Sequence, residues 1–367
     1  MELKSLRLHC FRNYDALEAA FDPGVNLIVG DNAQGKTNLL EAIVYLSTGK
    51  AFRTRREKEL IQFGKDFAEL EQTVFSQNRE QIVRAVLFAG RQRRQLYKNG
   101  VKLRTTSQLH GILPTVLFCP EDLLVLKTGA AARRRLIDDA LCQLRPNFAT
   151  ALDEYGRLLE DKSRILKDRW ENPQLLQVLP EFDERLAQVG AVVIGYRARY
   201  LGELARAAAR FHDAFSGGKE QLTISYQTVS TVQDPLAGRE MVYSWLKEHQ
   251  ESHRRAELET GQCLSGPHKD DFDAAIGGVS VKSFGSQGQT RTAAISLKLA
   301  ERALFYADTG EEPVLLLDDV LSELDPGRQD FVLNQIRTGQ VFITCCETEK
   351  WTAIGKTLVI QDGTIRE

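Results

Sequence analysis

A phosphate-binding loop pattern near the start of the chain constrains its fold most strongly. It fits G-x-x-x-x-G-K-[ST] and reads Gly30-Asp31-Asn32-Ala33-Gln34-Gly35-Lys36-Thr37. An apolar run at 25–29 precedes it and a helix-like run at 38–46 follows it. A strand, loop and helix in that order predict an α/β fold in which backbone N–H groups and a helix N-terminus hold phosphate. The alternative is a glycine-rich turn that fits by chance, and the flanking elements disfavour it.

The residue types of this loop divide the work of holding a nucleotide. Lys36 is predicted to reach the β- and γ-phosphates, and Thr37 to ligate Mg²⁺. The other nucleotide-binding candidates around these two are Gly30, Asp31, Asn32, Ala33, Gln34, Gly35 and Asn38.

A second strand with an acidic end lies far along the chain, at Pro313-Val314-Leu315-Leu316-Leu317-Asp318-Asp319. Consecutive apolar residues indicate a strand buried on both faces, and α/β sheets bind ligands at the C-terminal ends of such strands. Asp318 is predicted to hold Mg²⁺ and Asp319 to polarise the attacking water. Capping aspartates at a strand end are the alternative, and the pairing with Lys36 favours catalysis by Lys36, Asp318 and Asp319.

The segment Ser283-Phe284-Gly285-Ser286-Gln287-Gly288-Gln289 precedes a predicted helix at 290–305 and resembles the signature motif of ABC-type ATPases. Ser286, Gly288, Gln289 and the helix N-terminus are predicted to contact a γ-phosphate held by the loop of another subunit. Such a site needs two copies of the chain, so the motif predicts an ATP-dependent homodimer. Residues 322–325 resemble the D-loop that crosses the same interface.

Further segments narrow the resemblance to the RecF family of bacterial recombination mediator ATPases, over essentially the whole chain. They are residues 6–14 with the "FRNY" turn, 50–54, 118–123, 265–271 and 315–325. The resemblance implies an ABC-type head, ATP as cofactor with Mg²⁺, and ATP-dependent binding of duplex and gapped DNA. It also implies recombinase loading in post-replication gap repair and the SOS response, with RecO and RecR as partners.

The resemblance adds weaker assignments of single residues. It implies that Arg12 and Asn13 lie near the nucleotide, contacting adenine or phosphate. His268 and Asp270 belong either to a nucleotide-sensing region or to a buried turn that they cap, and the structural role is slightly favoured.

Two positions depart from the wider ABC superfamily, although RecF proteins share both. Asp319 stands where a glutamate is usual, and Thr344 where transporters carry a histidine. Because aspartate is one methylene shorter, we expect slow turnover, that is, a weak ATPase. We also expect that DNA stimulates it.

Binding to DNA has to be argued from local patches, because the net charge of −2 gives no global signal. Basic clusters can neutralise phosphates without reading sequence. Solvated faces or contacts on the nucleotide side are the alternatives. The candidates for DNA contact are Arg53, Arg55, Arg56, Arg91, Arg93, Arg94, Arg133 and Arg134.

The pattern along the chain predicts a discontinuous head with an inserted arm. Residues 1–128 and 260–367 are assigned to the ATP-binding head, which carries an added antiparallel layer with an Asn99-Gly100 hairpin turn. Residues 129–259 are assigned to a mainly helical arm, broken around Asn172-Pro173. Another SMC-like ABC ATPase subunit, a P-loop phosphotransferase and a non-hydrolysing scaffold remain alternatives.

Composition excludes several classes of protein. None of the six cysteines forms a C-x-x-C pair, which argues against a disulfide framework or a zinc site. Cys345 and Cys346 are predicted to be buried thiols. No apolar run approaches the ~20 residues of a membrane span and no signal pattern begins the chain, so we expect a cytoplasmic protein without a membrane partner.

Overall fold

The computed structural model describes residues 1–54, 56–346 and 355–366. The chain divides into two compact units, Met1–Leu123 with Ala294–Glu367, and Leu124–Ala293. We predicted an arm at 129–259, whereas the second unit continues to Ala293. The physical reason is a strand pairing, in which Asp271–Ile276 runs antiparallel to Leu222–Gln227 and ties residues beyond 260 to the arm.

Strands and helices are numbered here along the described residues. The strands are β1 (Glu2–Phe11), β2 (Tyr14–Ala20), β3 (Val25–Val29), β4 (Phe67–Ser76), β5 (Arg79–Phe88), β6 (Gln95–Lys98), β7 (Val101–Lys102), β8 (Thr115–Phe118), β9 (Leu222–Gln227), β10 (Asp271–Ile276), β11 (Val279–Ser280), β12 (Val314–Asp318), β13 (Val341–Cys345), β14 (Lys356–Gln361) and β15 (Thr364–Arg366). The helices are α1 (Lys36–Thr48), α2 (Ala130–Leu144), α3 (Pro146–Asp168), α4 (Leu179–Ser216), α5 (Arg239–Thr260), α6 (Val281–Phe284), α7 (Gln287–Thr309) and α8 (Pro326–Gln335). In the described ranges, none of these helices is both long and apolar enough to cross a bilayer.

An antiparallel sheet forms one layer of the first unit, in the order β2-β1-β4-β5-β6-β7. Side chains of β4 alternate between buried and more exposed positions, as expected for a sheet with one face on a core. Asn99 and Gly100 both have positive φ, 50° and 77°, which a tight hairpin between β6 and β7 requires. The predicted hairpin is confirmed, whereas β2 was missed.

The other sheet of the first unit, in the order β15-β14-β3-β13-β12-β8, carries the site. Its central strands β3, β13 and β12 are parallel neighbours, and β12 and β13 are buried along their whole length. The register pairs Asp318 with Thr344, and Thr344 with Ile28 near the end of β3. This pairing brings the ends of three strands that are far apart in sequence to one edge, where the phosphate loop begins.

Helix α1 anchors that loop in the core of the first unit. Leu39, Ile43 and Leu46 are fully buried, in the same cluster as Leu6 of β1 and Phe342 of β13. Because α1 packs with residues of both sheets, its N-terminus at Lys36 is held firmly at the sheet edge.

The second unit is mainly helical, with a small antiparallel sheet in the order β11-β10-β9. Helix α3 ends at Asp168 and α4 begins at Leu179, so the break predicted around Asn172-Pro173 is confirmed. Its apolar contacts are supplemented by buried ion pairs. One of them joins Lys162 to Asp183 at 2.6 Å and to Glu257 at 2.5 Å.

Candidate nucleotide-binding site

Two glycines give the phosphate loop its shape. Gly35 has a φ of 116°, and a Cβ there would lie 2.6 Å from Asn13 Nδ2. A Cβ on Gly30 would lie 2.4 Å from the carbonyl oxygen of Ile360 in the neighbouring strand β14. Only glycine fits both places without displacing backbone or its partners. The glycine spacing of the sequence pattern therefore reflects steric need.

Lys36 folds back over the loop that precedes it. Its side chain is only 7% exposed, and Nζ donates to the carbonyl oxygens of Gly30 at 2.6 Å and Asp31 at 3.0 Å. The ammonium lies at a cavity of about 150 Å³ that is lined by Asn32, Ala33, Gly35, Lys36, Thr37, Asn38, Arg53, Asp319 and Thr344. A buried cation, backbone N–H groups and the N-terminus of α1 together form a site suited to phosphate.

Asp318 meets two hydroxyl groups at the edge of this cavity. Its Oδ1 accepts hydrogen bonds from Thr37 Oγ1 and Thr344 Oγ1, each at 2.9 Å. Burial raises the pKa of Asp318, and the two hydroxyl donors act in the opposite direction. Hydroxyl and carboxylate oxygens are ligands that Mg²⁺ prefers, so Thr37 and Asp318 have the chemistry to hold this ion.

Thr344, which stands where transporters carry a histidine, contacts both acidic residues of the site. Besides donating to Asp318, its Oγ1 accepts from the backbone N–H of Asp319 at 2.8 Å. Asp319 has a φ of 55°, a strained conformation for aspartate. Thr344 thus fixes both acidic residues. Its place in β13, between β3 and β12, brings it within reach of both residues.

Arg12 and Asn13 support the loop from the adjoining turn. Asn13 Nδ2 donates to the carbonyl oxygen of Gln34 at 2.8 Å, and Asn13 Oδ1 accepts from Asn38 Nδ2 at 2.8 Å. Arg12 Nε pairs at 2.8 Å with Glu41, which is fully buried. These contacts place both residues beside the loop, and their predicted contact with nucleotide stays a prediction.

Tyr14 was missed by sequence reasoning, although it donates from its hydroxyl to the carbonyl oxygen of Gly35 at 2.8 Å. Glu41, the partner of Arg12, was missed as well. Both are buried residues inside regular elements, where a sequence pattern cannot separate support of a site from ordinary packing.

An open groove of about 990 Å³ adjoins the loop in the first unit. Arg12, Asn13 and Asn38 line it on the side of the loop, and Lys58 and Lys65 contribute positive charge. The side chain of Phe63 is fully exposed there. The groove therefore combines an aromatic face with cations, which suits a flat, polar ring such as a nucleobase.

The signature segment belongs to the second unit, at the first turn of α7. Ser286 is exposed, and it forms a reciprocal cap with Gln289: the N–H of Ser286 donates to Gln289 Oε1, and the N–H of Gln289 donates to Ser286 Oγ, both at 3.1 Å. Ser286, Gly288 and Gln289 are thus brought together at one helix N-terminus. Their contact with nucleotide remains a prediction.

Within the described residues, four of the eight arginines predicted to contact DNA are exposed: Arg53, Arg56, Arg91 and Arg93. Arg53 also lines the phosphate cavity, and Arg56 also lines the open groove. Arg55 lies outside the described residues.

Arg94 is half-buried, and its guanidinium already has partners within the first unit, so its contact with DNA stays a prediction. Nη1 donates to the carbonyl oxygen of Gly49 at 2.8 Å and pairs with Glu57, and Nη2 donates to Thr106 at 2.8 Å. Arg94 fastens the end of α1 to the antiparallel sheet.

Arg133, another candidate for DNA contact, is only 1% exposed. Its Nε and Nη2 contact the two carboxylate oxygens of Asp271 at 2.6 and 2.8 Å. Its neighbour Arg134 is half-buried, with Nη1 donating to the carbonyl oxygen of Asp270 at 2.6 Å. Both arginines bind residues at the start of β10, Asp270 and Asp271, so a phosphate would have to displace these partners.

His268 and Asp270 make contacts of a structural kind. Nδ1 of His268 lies 2.8 Å from the hydroxyl of Tyr155, and Nε2 lies 3.0 Å from the carbonyl oxygen of Cys263. Asp270 is fully buried and pairs with Arg197 at 2.9 Å. These contacts support the structural role over nucleotide sensing.

Cys345 is buried as predicted, whereas Cys346 is exposed. The sulfur of Cys346 lies 3.4 Å from Lys36 Nζ. The prediction of a buried pair fails because β13 ends at Cys345, and the next residue turns towards the phosphate loop.

Comparison with known proteins adds a family to this geometry. The family model described as RecF/RecN/SMC N terminal domain matches residues 2–363. The DNA replication and repair protein RecF of Agathobacter rectalis is 39% identical, with 94% of this chain and 92% of the relative covered. RecF of Bacillus subtilis is also 39% identical, with 94% and 93% covered.

Solved structures give the same result for the fold. A structure of the recombination mediator protein RecF with ATP, from the RecFOR pathway, has a TM-score of 0.92 at 34% identity, covering 99% of this chain and 96% of that one. An Smc head domain from Pyrococcus furiosus has a TM-score of 0.56 at 17% identity, covering 99% and 95%, which shows a shared fold. The chain therefore belongs to the RecF family of DNA replication and repair proteins and has the α/β head fold of SMC-type ABC ATPases.

Proposed function

We propose that this protein is an ATP-dependent DNA-binding recombination mediator. ATP drives two copies together head to head on duplex or gapped DNA, and slow hydrolysis releases them. One observation carries the proposal: Lys36, Thr37 and Thr344 line a single cavity, and Asp318 accepts hydrogen bonds from the two threonines.

Nucleotide phosphates would replace the present hydrogen bonds of Lys36 with stronger ones. Lys36 Nζ now donates to the neutral carbonyl oxygens of Gly30 and Asp31, and a phosphate oxygen is the stronger acceptor because it is charged. Thr37 and Asp318 would hold Mg²⁺, which supplies neutralisation of the phosphate charge. The remaining loop residues, 30–35 and Asn38, would surround the phosphates with backbone donors.

The base and ribose would occupy the neighbouring groove. Asn13 and Asn38 are shared by the loop and the groove and are hydrogen-bonded to each other, so a nucleotide can extend from one into the other. We assign the exposed ring of Phe63 to the base and Arg12 to its polar edge or the phosphates.

Hydrolysis would depend on Asp319. Its backbone is fixed by Thr344, so the carboxylate starts from a defined position at the cavity. A carboxylate there can accept a proton from an attacking water. The short reach of aspartate is the basis for proposing a weak ATPase, and we further propose that DNA stimulates it.

The second copy would complete the site with Ser286, Gly288 and Gln289 at the N-terminus of α7. Free energy from the γ-phosphate then favours the dimer over the monomer, because only the ATP-bound head offers that group to the partner. DNA would bind through exposed arginines such as Arg56, Arg91 and Arg93, as a salt-dependent contact with phosphates.

The cellular role follows from the family. We propose that the protein acts in the cytoplasm in post-replication gap repair and the SOS response. There it would help load recombinase onto gapped DNA together with RecO and RecR.

Anisotropy of a fluorescent duplex, titrated with protein in ATP, ADP or no nucleotide plus Mg²⁺, tests this function. We expect ATP to tighten binding and Lys36→Met to abolish the difference. Equal affinity in all three conditions would contradict the proposal.

A further inference from the structure

The side chain of Gln289 is held at both ends inside its own unit. Its Oε1 accepts from the N–H of Ser286 at 3.1 Å, and its Nε2 donates to Glu220 Oε1 at 2.9 Å. An amide that is engaged on both atoms acts as a bridge. The NH₂ group keeps a second N–H beyond the one that faces Glu220.

Ser286, in contrast, is prepared for an external ligand. Its Oγ accepts from the N–H of Gln289, and a hydroxyl that accepts a hydrogen bond still has its own hydrogen to donate. The residue is exposed at the N-terminus of α7, where the helix dipole favours an anion. The cap formed with Gln289 sets the direction in which this hydroxyl points.

Glu220 is an unexpected neighbour for such a place, because its negative charge opposes phosphate binding. The contacts that Glu220 makes with other side chains explain its position. Besides Gln289 it contacts His212, with Nε2 of the ring 3.2 Å from Glu220 Oε2. The N–H of Glu220 donates to Ser216 Oγ at 3.2 Å, which fixes the residue against the end of α4.

His212 ties this carboxylate to the long helix α4. The ring is fully buried, and burial lowers the pKa of His212, with Glu220 acting in the opposite direction. A neutral ring satisfies the contact by carrying its hydrogen on Nε2. The last turns of α4 are therefore connected, through Glu220 and Gln289, to the first turn of α7.

A second tie acts on the other side of the signature segment. Lys127 Nζ donates to the carbonyl oxygen of Gly285 at 2.9 Å. The residue before Ser286 and the residue three positions after it are thus both anchored by side chains from distant parts of the second unit.

We propose that Glu220 is a positioning residue for the signature motif, which holds Gln289 so that Ser286 presents its hydroxyl to the nucleotide of a second copy. Gln289 then shapes the motif through its cap with Ser286. This inference rests on the proposed composite site, and it identifies α4 of the arm as the element to which the motif is anchored.

The test compares Glu220→Ala with Glu220→Gln in the full-length protein. Alanine removes the acceptor for Gln289, whereas glutamine keeps an acceptor oxygen for it. The amide N–H of glutamine can donate to Nε2 of His212 once the ring carries its hydrogen on Nδ1. We expect Glu220→Ala to weaken ATP-dependent dimerisation about tenfold in sedimentation, and Glu220→Gln to stay within about threefold of wild type. Binding of a fluorescent ATP analogue to the monomer should not change in either variant, which a general loss of folding would not allow.

A double-mutant comparison decides whether Glu220 acts through Gln289. We expect the single variant Gln289→Ala and the double variant Glu220→Ala plus Gln289→Ala to dimerise equally. The contact between Glu220 and Gln289 is already lost in the single variant. Glu203→Ala, at an exposed glutamate of α4, is the control for loss of one negative charge. Additive losses, or a Glu220→Ala effect no larger than that of Glu203→Ala, would overturn the inference.

The behaviour of wild-type protein distinguishes a failure of this inference from a failure of the proposed function. Wild-type protein that stays monomeric with ATP contradicts the composite site and the inference together. Wild-type protein that dimerises while Glu220→Ala dimerises equally well contradicts only the inference.

Discussion

The phosphate site of the first unit and the charge network of the second unit both bury ionisable side chains, but they satisfy them differently. Lys36 contacts two carbonyl oxygens and a thiol, and Asp318 contacts two hydroxyl groups. In the second unit Arg133 is paired with Asp271, and Arg197 with Asp138 and Asp270. The buried charges of the first region meet neutral partners and can bind a charged ligand. Those of the second region are neutralised by opposite charges within the protein.

This difference separates binding residues from structural ones. A buried charge that meets only neutral partners is costly to the folded state, and a charged ligand can relieve that cost. In a buried ion pair, the attraction between the charges offsets the cost of desolvating them. Removing one partner leaves the other charge buried and unpaired, with its full desolvation cost. Changes in the first region should therefore alter ligand binding, and changes in the second should alter stability.

The largest effect is expected for Lys36→Met. Loss of the charged donor should weaken ATP binding by about 100-fold or more, since hydrogen bonds from charged groups contribute about 1.5–3 kcal/mol each. The melting temperature should stay the same or rise, because no ion pair is broken. Calorimetric titration with ATP measures the first result, and Lys102→Met, at an exposed lysine of β7, is the control.

Arg133→Ala should destabilise the protein by about 3 kcal/mol, because Asp271 loses its partner. Chemical denaturation followed by circular dichroism measures the loss. The neighbouring exposed Arg135→Ala should stay within about 0.5 kcal/mol of wild type. If Arg133→Ala remains as stable as that control but loses duplex binding, Arg133 is a DNA contact after all and the distinction between the two regions fails.

Acid should weaken the second unit through His268. Burial lowers the pKa of His268 to about 4, and its Nδ1 faces the hydroxyl of Tyr155. Because the folded pKa lies below the unfolded value of about 6.5, the contribution is complete above pH 6.5. It is lost as the pH falls towards 4, by up to about 3 kcal/mol.

His268→Gln is the matched variant for this titration, since it keeps a side chain that can hydrogen-bond but does not titrate. The free energy of unfolding should fall less steeply between pH 6.5 and 4 in the variant than in wild type. Asp270, whose pKa burial raises, contributes equally to both curves. If the free energy of unfolding falls equally with pH in wild type and in the variant, His268 is not the source of the acid sensitivity.

The smallest effect is expected for the exposed arginines of the first unit. Arg91→Ala with Arg93→Ala should weaken duplex binding severalfold at low salt. The slope of log affinity against log salt should also decrease by up to about 2, because each DNA phosphate that an arginine neutralises adds about 0.9 to it. Arg164→Ala with Arg199→Ala removes the same charge from exposed positions of α3 and α4, and an equal change there would show a general effect of charge.

The sequence predicted those features whose cause is local. The phosphate loop, the Asn99-Gly100 turn and the buried strand before Asp318 depend on residue types within a few positions. Arg133 could not be assigned in that way, because its partner Asp271 lies 138 residues along the chain. A basic run reads the same in sequence whether its arginines face solvent or a distant carboxylate.

The same limit explains the supporting residues of the site. Thr344 reaches Asp318 because β13 lies between β3 and β12, and that strand order is a property of the whole sheet. Glu220 meets Gln289 only after α4, β9 and α7 have packed. The motif residues were predictable, whereas the residues that hold them required the structure.

Sedimentation velocity tests the central claim most directly, with wild type and Ser286→Arg in no nucleotide, ADP and ATP with Mg²⁺, each with and without a short duplex. The account predicts that wild type shifts from monomer to dimer only with ATP, and further with duplex. Ser286→Arg should bind ATP and remain a monomer. A dimer that survives Ser286→Arg, or a wild type that hydrolyses ATP while staying monomeric, would contradict it.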